Sequence, residues 1–456
     1  MTTHIPAERF DLIVIGTGSG GSAPAYRCRE AGWRVAVLDD LPYGGTCALR
    51  GCDPKKVLVG AAELADWNRR MQGRGLTGDA QISWPELMRF KRTFTDPVPA
   101  NREQAFETAG ITAYHGPGRF VSPDQVAVAG EVLEARYFVI AAGAKPRRLG
   151  VAGEEHLVTS TAFLELDQLP PRLAFVGAGY ISFEFAHVAR RARAQAIIVG
   201  RGKPLRHFEQ DLVTGLADHT RSLGIELRLD TEVTAIEQTG GGYRVRVRAQ
   251  GRTETIEADL VVHGGGRVPN TEGLDLGAAN IATDPDGGVR VNEFLQSVTN
   301  PRVYAAGDVA AAAGSLRLTP VAAYAGTIVA SNLLKGNSRS PDYRGIPSVV
   351  FTVPPLAGVG LTEAQARAQQ LDVRVKTQDT SSWYSNRRVA ETSAMFKVIT
   401  ENQTDRVVGA HLLGPHAEEV INLFALAIRS GVPAIDLKHL LYAYPTSGSD
   451  VPYMIP

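Results

Sequence analysis

Cysteine is scarce. Three in 456 residues are too few for a disulfide framework, and they suit a chain whose thiols stay reduced unless a pair has a redox purpose. Aromatic residues are only 7%, and the most apolar stretches are strand-length and broken by glycine, so nothing reads as a membrane span. The start, MTTHIPAERF, shows no charged segment followed by an apolar one, and the chain is therefore expected to be soluble, cytoplasmic and not secreted. An excess of one charge is also missing. The 48 Lys and Arg balance the 48 Asp and Glu without long blocks of either, which disfavours nucleic acid and anionic membranes as partners and points to small molecules. At 44% hydrophobic the chain can bury a large core, divided among about three domains.

Glycine, by contrast, is abundant and patterned. Phe10 to Ile15 (FDLIVI) reads as a buried strand that ends in Gly16, Gly18 and Gly21, after which Ser22 to Gly32 can form a helix. A second strand, Arg34 to Leu38, ends in Asp39. Glycines in such a turn let backbone close on a pyrophosphate at a helix N-terminus, and a strand-end carboxylate accepts ribose hydroxyls. The unit recurs: Arg172 to Val176 leads into Gly177 and Gly179, then a helix through Glu184 to Ala192, then the strand Gln195 to Val199. Ser182 takes the third glycine's place, where a small residue suffices. After that strand come Arg201 and Arg206 rather than an acid. Two arginines can pair with a 2′-phosphate, which favours NADPH with NADH possible; the alternative is a solvated basic turn.

Asn300 to Asp308 (NPRVYAAGD) reads as a strand ending in Gly307 and Asp308. Asp308 can bind hydroxyls of a nucleotide or merely cap a helix over Val309 to Ala313. Ser331 to Tyr343 is polar, with Gly and Pro, and reads as a linker. Beyond Gly345, strands over Pro347–Thr352, Ala394–Ile399 and Val407–Leu413, followed by a helix over Ala417–Ser430, indicate a separate α+β domain. Cys28, on the first fingerprint helix, reads as a core residue.

Two of the three cysteines stand five positions apart in GGTCALRGCDPKK, Gly44 to Lys56. On an ideal helix such positions are about 140° apart, so Cys47 and Cys52 bond only if the turn is distorted, which Gly51 makes cheap. So short a loop staples little, and further Cys or close His ligands for a metal are lacking. The segment resembles the GGTCxNxGCxPxK signature of the flavin-dependent disulfide reductases, the class I pyridine nucleotide-disulfide oxidoreductases such as glutathione reductase, dihydrolipoamide dehydrogenase and mercuric reductase. FVIAAGAKP, GAGYISFEFA, VYAAGD, LTPVAAYAG and FTVPPLAGVGLTE resemble further motifs of that family in its order, along nearly the whole chain.

The resemblance implies an α/β fold with two Rossmann-like nucleotide-binding domains: FAD in 1–148 and 270–340, the nicotinamide in 149–269. A C-terminal α+β dimerisation domain, 345–456, makes a homodimer. It implies cofactor contacts at Gly16, Gly18, Gly21, Asp39, Gly45, Thr46, Gly143, Gly266, Gly307 and Asp308 for FAD and the loops around it, and at Gly177, Gly179, Tyr180, Arg201 and Arg206 for the nicotinamide. It further implies that Cys52 lies against the flavin as thiolate, that Cys47 attacks the oxidant, that Lys55 pairs with Glu184 beside the flavin, and that Tyr180 covers the nicotinamide pocket. No metal site is expected.

Departures from the family matter as much. Arg50 and Asp53 replace small or apolar residues around the pair; Arg50 can lower a thiol pKa and Asp53 oppose it, or the two can pair with each other. Near the C-terminus the family's His-Pro-Thr followed by Glu becomes Tyr444, Pro445 and Thr446, with Ser449 at the Glu position and Asp450 next. Tyrosine, with a pKa near 10, is a poor base at neutral pH, which disfavours dihydrolipoamide oxidation. Mercuric reductases also carry Tyr there, but their C-terminal cysteine pair is missing from VPYMIP. The sequence thus reads as an NAD(P)H-dependent enzyme reducing a small disulfide or a soft metal ion through Cys47 and Cys52. The alternative is a redox-sensing flavoprotein or slow NAD(P)H oxidase or quinone reductase. His411 and His416 flank a turn without a spacing that assigns them a role.

Overall fold

In the computed structural model, which describes residues 8–456, the chain forms two compact units. Of the described residues, the first comprises 8–54, Arg92–Arg147 and Arg267–Tyr343. Its sheet begins with β1 (Glu8–Ile15), which leads through the glycine turn into helix α1 (Ser19–Glu30) and then β2 (Val35–Asp39). Strands Thr112–His115, β2, β1, Glu131–Ile140 and Val303–Ala305 pair in parallel, and Glu131–Ile140 continues antiparallel into Gln125–Val128 and Arg119–Ser122. A parallel strand is buried on both faces, so β1 reads as a continuous apolar run. Leu12 and Val14 enter one hydrophobic cluster with Cys28 and Tyr43, while Ile13 and Ile15 enter the other with Phe120 and Phe138. Period-two alternation thus builds two cores from one strand. Helix α2 (Gly45–Arg50) follows β2, and α3 (Cys52–Met71) starts with only Gly51 between them.

The second unit comprises Lys55–Lys91, Arg148–Gly266 and Arg344–Pro456. Here β3 (Arg172–Val176) passes through Gly177 into α4 (Tyr180–Arg191), in a parallel sheet ordered Glu226–Arg228, Gln195–Val199, β3, Leu260–His263. The same division recurs, with Leu173 and Phe175 in one cluster, Ala174 and Val176 in the other. An antiparallel hairpin set, Thr231–Thr239, Gly242–Ala249 and Arg252–Ala258, covers one side. A five-stranded antiparallel sheet, ordered Ser348–Val350, Leu356–Gly360, Arg406–Leu413, Met395–Glu401 and Val373–Asp379, packs the helix Ala417–Ser430 against its apolar face through Ile421 and Phe424.

Two expectations fail locally. No helix forms over Val309–Ala313: Gly307–Val309 is a single 3₁₀ turn, and Ala310–Ala311 pairs as a short strand with Val289–Arg290. The linker also begins later than its polarity suggests, because the helix Thr319–Lys335 includes Ser331 and Asn332. Asn332 is buried, donating through Nδ2 to the carbonyls of Phe294 and Arg339 and accepting the amides of Ser338 and Arg339. Its polarity serves the helix end rather than solvent. Among the described residues no helix is long and apolar enough to cross a membrane.

Candidate active site

The first unit builds a backbone cradle. Gly16 has φ +104°, and a Cβ there would lie 2.4 Å from the Ala141 carbonyl oxygen. At Gly21 a Cβ would lie 2.3 Å from Gly16 O, so α1 closes directly onto the turn. Gly45 opens α2 with φ +74°, and its Cβ would stand 2.4 Å from Gly18 Cα: the GGTC segment touches the N-terminus of α1 with no room for a side chain. Asp39, at the end of β2, accepts the Thr17 amide (2.8 Å) and hydroxyl (2.7 Å) on Oδ2, and the Leu41 amide on Oδ1 (3.1 Å). Thr17 Oγ1 in turn accepts the Gly44 amide at 3.2 Å, which ties the cradle to the cysteine loop. Gly143 (φ +68°) and Gly307 (φ +79°) carry turns in the same unit. Burial pushes the Asp308 carboxyl up, against the pull of Arg267 and Arg317. A helix N-terminus, side-chain-free backbone and two strand-end carboxylates fit the phosphates and hydroxyls of a dinucleotide such as FAD.

The distortion that a Cys47–Cys52 bond requires is present. The helix breaks at Gly51, where a Cβ would come within 2.9 Å of Thr46 O, so Cys47 sits in α2 and Cys52 opens α3. Both are thiols here, Cys47 half-buried and Cys52 exposed. The Cys47 thiol is held far above its ordinary pKa, first by its hydrogen bond with Cys52, then by burial, with the negative charge of Asp53 adding to both and a hydrogen bond with Thr319 opposing. Cys47 Sγ faces Asp53 Oδ1 at 3.9 Å, and Cys52 Sγ lies 3.3 Å from Thr319 Oγ1. Burial lowers the pKa of the half-buried Arg50, with Asp39 and Asp40 opposing and Arg267 adding to the fall. Cys28 is fully buried and its thiol is pushed up to about 12, which keeps it inert.

In the second unit, α3 and α4 are joined by an ion pair. Lys55 Nζ lies 2.8 Å from Glu184 Oε1, and Glu184 is 1% exposed. The Phe351 amide donates to the same oxygen at 2.8 Å, while the Phe351 ring lies 4.5 Å from Lys55 Nζ and 4.7 Å from Lys56 Nζ. Three residues on, His187 Nδ1 accepts the Val353 amide (3.2 Å). Gly177 (φ +110°) packs against Gly264, and Gly179 caps α4. Ser182 is fully buried against Gly264, so a small residue is indeed required there. Tyr180, the first residue of α4, is half-exposed, and Arg201 and Arg206 are exposed on the loop after Gln195–Val199. Arg201 lines a shallow cleft with Asp230, Glu232 and Arg248. Gly266 has φ +103° and open space before it. Tyr444 is 81% exposed, and Leu440, Leu441 and Tyr453 are exposed as well. Ser449 is spent on a capping box with Thr446, and Asp450 accepts the Ser385 hydroxyl at 2.5 Å. His411 is buried, with Nε2 on the Leu361 carbonyl at 3.0 Å, and His416 stands at the N-cap position of the helix Ala417–Ser430 without a side-chain cap bond. Thr17, Thr319 and Phe351 escaped the sequence reading, although LTP and FTVPP marked the segments that hold the last two.

Two glycine-turned nucleotide-binding sheets and a local dithiol define a flavin- and nicotinamide-dependent oxidoreductase. The family model for pyridine nucleotide-disulphide oxidoreductases matches residues 10–326, and that for the dimerisation domain of the same enzymes matches residues 346–454. The chain is 34% identical to a glutathione reductase of Burkholderia cepacia, over 96% of both chains. It is 31% identical to a mercuric reductase of Staphylococcus aureus, over 96% of this chain and 80% of that one. A solved structure, the copper(II) complex of a cysteine-to-serine variant of an HOCl-induced flavoprotein disulfide reductase from Escherichia coli, matches with a TM-score of 0.88. It shares 25% identity and covers 98% of this chain and 99% of that one. The chain therefore belongs to the pyridine nucleotide-disulphide oxidoreductase family, FAD-dependent enzymes with NAD(P)H as electron donor.

Proposed function

We propose that the protein is a cytoplasmic homodimer that uses NADPH to reduce a small disulfide or a soft metal ion through Cys47 and Cys52. In this reading residues 1–148 and 270–340 hold FAD, 149–269 hold the nicotinamide, and 345–456 form the dimer. Bound in the first unit, FAD supplies the two-electron relay between nicotinamide and thiols. Gly16, Gly18, Gly21, Gly45 and Thr46 bring backbone against its phosphates, and Asp39 and Asp308 accept its hydroxyls. Gly143 and Gly266 leave its flanks open. Gly177 and Gly179 do the same for NADPH, Tyr180 shields its site, and Arg201 and Arg206 pair with the 2′-phosphate. Lys55, oriented by Glu184, supplies a fixed cation that stabilises negative charge as electrons move. Cys52 is the thiol turned to the flavin and Cys47 the thiol that meets the oxidant. Tyr444, on an exposed apolar loop, reaches the partner subunit's oxidant site and donates a hydrogen bond there.

The observation that carries this reading is the helix break at Gly51 with a Cys47–Cys52 hydrogen bond across it. The glutathione and mercuric reductases among the relatives support the substrate classes. Anaerobic NADPH consumption against small disulfides, Hg(II) and Cu(II) tests it. Turnover of one class that Cys47→Ser abolishes is expected, and turnover indifferent to Cys47→Ser would refute it.

A further inference from the structure

The half-buried thiol that meets the oxidant has a carboxylate of its own. Asp53 Oδ1 lies 3.9 Å from Cys47 Sγ, a long sulfur contact. The side chain is exposed at the opening of α3, and Asp53 is the acidic residue of that helix's first turn. The titratable and hydroxyl groups that act on Cys47 are Cys52, Asp53 and Thr319. Of these, Asp53 alone is a carboxylate. Where the resemblance places a histidine, the chain has Tyr444, a poor base, and the two residues that could replace the accompanying acid are engaged elsewhere, Ser449 in a cap and Asp450 with Ser385.

We infer that Asp53, supplied by the same chain beside Cys47, makes this site select uncharged or cationic disulfides over anionic ones. The inference rests on the disulfide reading proposed above. In the reduced protein Cys47 carries a proton. Cys47 gives its proton to water, and as its Sγ bonds to one sulfur of a disulfide RSSR the S–S bond of RSSR breaks; the departing thiolate takes a proton from water and leaves as RSH. Cys52, as thiolate, then attacks Cys47 Sγ, the bond to the second RS group breaks, and that group leaves as RS⁻ and is protonated by water. The two cysteines end as a disulfide and RSSR has gained their two electrons. A fixed negative charge some 4 Å from the attacking sulfur repels an anionic substrate and attracts a cationic one, an effect that salt weakens.

The test compares wild type with Asp53→Asn and Asp53→Glu as FAD-loaded enzymes. Asn and Glu both suit a first helical turn, so the variants retain the fold. The first readout needs no turnover: the pH midpoint for alkylation of Cys47 by iodoacetamide in the NADPH-reduced protein, followed by mass spectrometry. Loss of the neighbouring charge moves it down by about one unit in Asp53→Asn and leaves it within a few tenths in Asp53→Glu. The second is kcat/KM for cystamine, hydroxyethyl disulfide and oxidised glutathione, which are cationic, neutral and anionic. Wild type prefers them in that order. Asp53→Asn compresses the cystamine-to-glutathione ratio at least tenfold at low salt, and Asp53→Glu leaves it nearly unchanged. A cystamine-to-glutathione ratio that Asp53→Asn leaves unchanged overturns the role of Asp53 alone. Wild type that turns over no disulfide overturns the disulfide reading, and the role falls with it.

Discussion

One oxygen of Glu184 holds two groups in place: Oε1 accepts Lys55 Nζ at 2.8 Å and the Phe351 amide at 2.8 Å. Glu184→Gln keeps an acceptor for Phe351 but leaves Lys55, whose side chain is 14% exposed, without its counter-charge. Breaking such a pair costs about 3 kcal/mol. Chemical denaturation of Glu184→Gln is expected to show a loss of that order, and stopped-flow mixing with NADPH a slower reduction of the enzyme. An unchanged reduction rate would make the pair purely structural.

The contact between Gly45 and Gly18 leaves no room for a methyl group, since a Cβ on Gly45 would lie 2.4 Å from Gly18 Cα at a φ of +74°. Gly45→Ala is therefore expected to push the cysteine loop off α1 and to purify with only a small fraction of its flavin. The ratio of flavin to protein absorbance measures this directly.

Arg201 and Arg206 are exposed and follow a strand that ends without an acid. If they bind the 2′-phosphate, Arg201→Ala raises KM for NADPH about tenfold, as loss of a charged hydrogen bond does, with kcat and the NADH parameters nearly unchanged. A parallel change with both coenzymes would assign Arg201 to something other than the 2′-phosphate.

Two histidines of the second unit give stability a pH dependence. Burial drives His187 well below its usual pKa, with Arg191 and His219 adding to it; burial and Arg191 bring His219 to about 4. Neutral His187 accepts the Val353 amide, and His219 Nε2 donates to the Val353 carbonyl (3.1 Å). Because the folded pKa lies below the unfolded value near 6.5, the unfolded chain takes up protons first as pH falls. Stability is whole above about pH 6.5 and is lost as pH falls toward about 4, the His219 value. Melting curves across that range should fall less steeply for His219→Gln, which keeps a donor for the carbonyl and does not titrate.

What the sequence made legible was local. Buried runs of period two, glycine turns and the amphipathic helix Ala417–Ser430 each declare themselves within one element. Gly51 signalled its break because five residues suffice to ask whether two cysteines can meet. Thr319 and Phe351 did not, since they meet Cys52 and Glu184 only through contacts 267 and 167 positions apart. Polarity misled at Asn332, whose amide satisfies a helix end rather than solvent.

The central claim is that Cys47 and Cys52 form a redox couple fed by NADPH, and anaerobic titration of the oxidised enzyme with NADPH tests it most directly. Wild type is predicted to consume one further equivalent per flavin than Cys52→Ser, and to develop a long-wavelength thiolate-to-flavin absorbance that the variant lacks. Equal consumption by the two proteins, with no such band in wild type, would contradict the account.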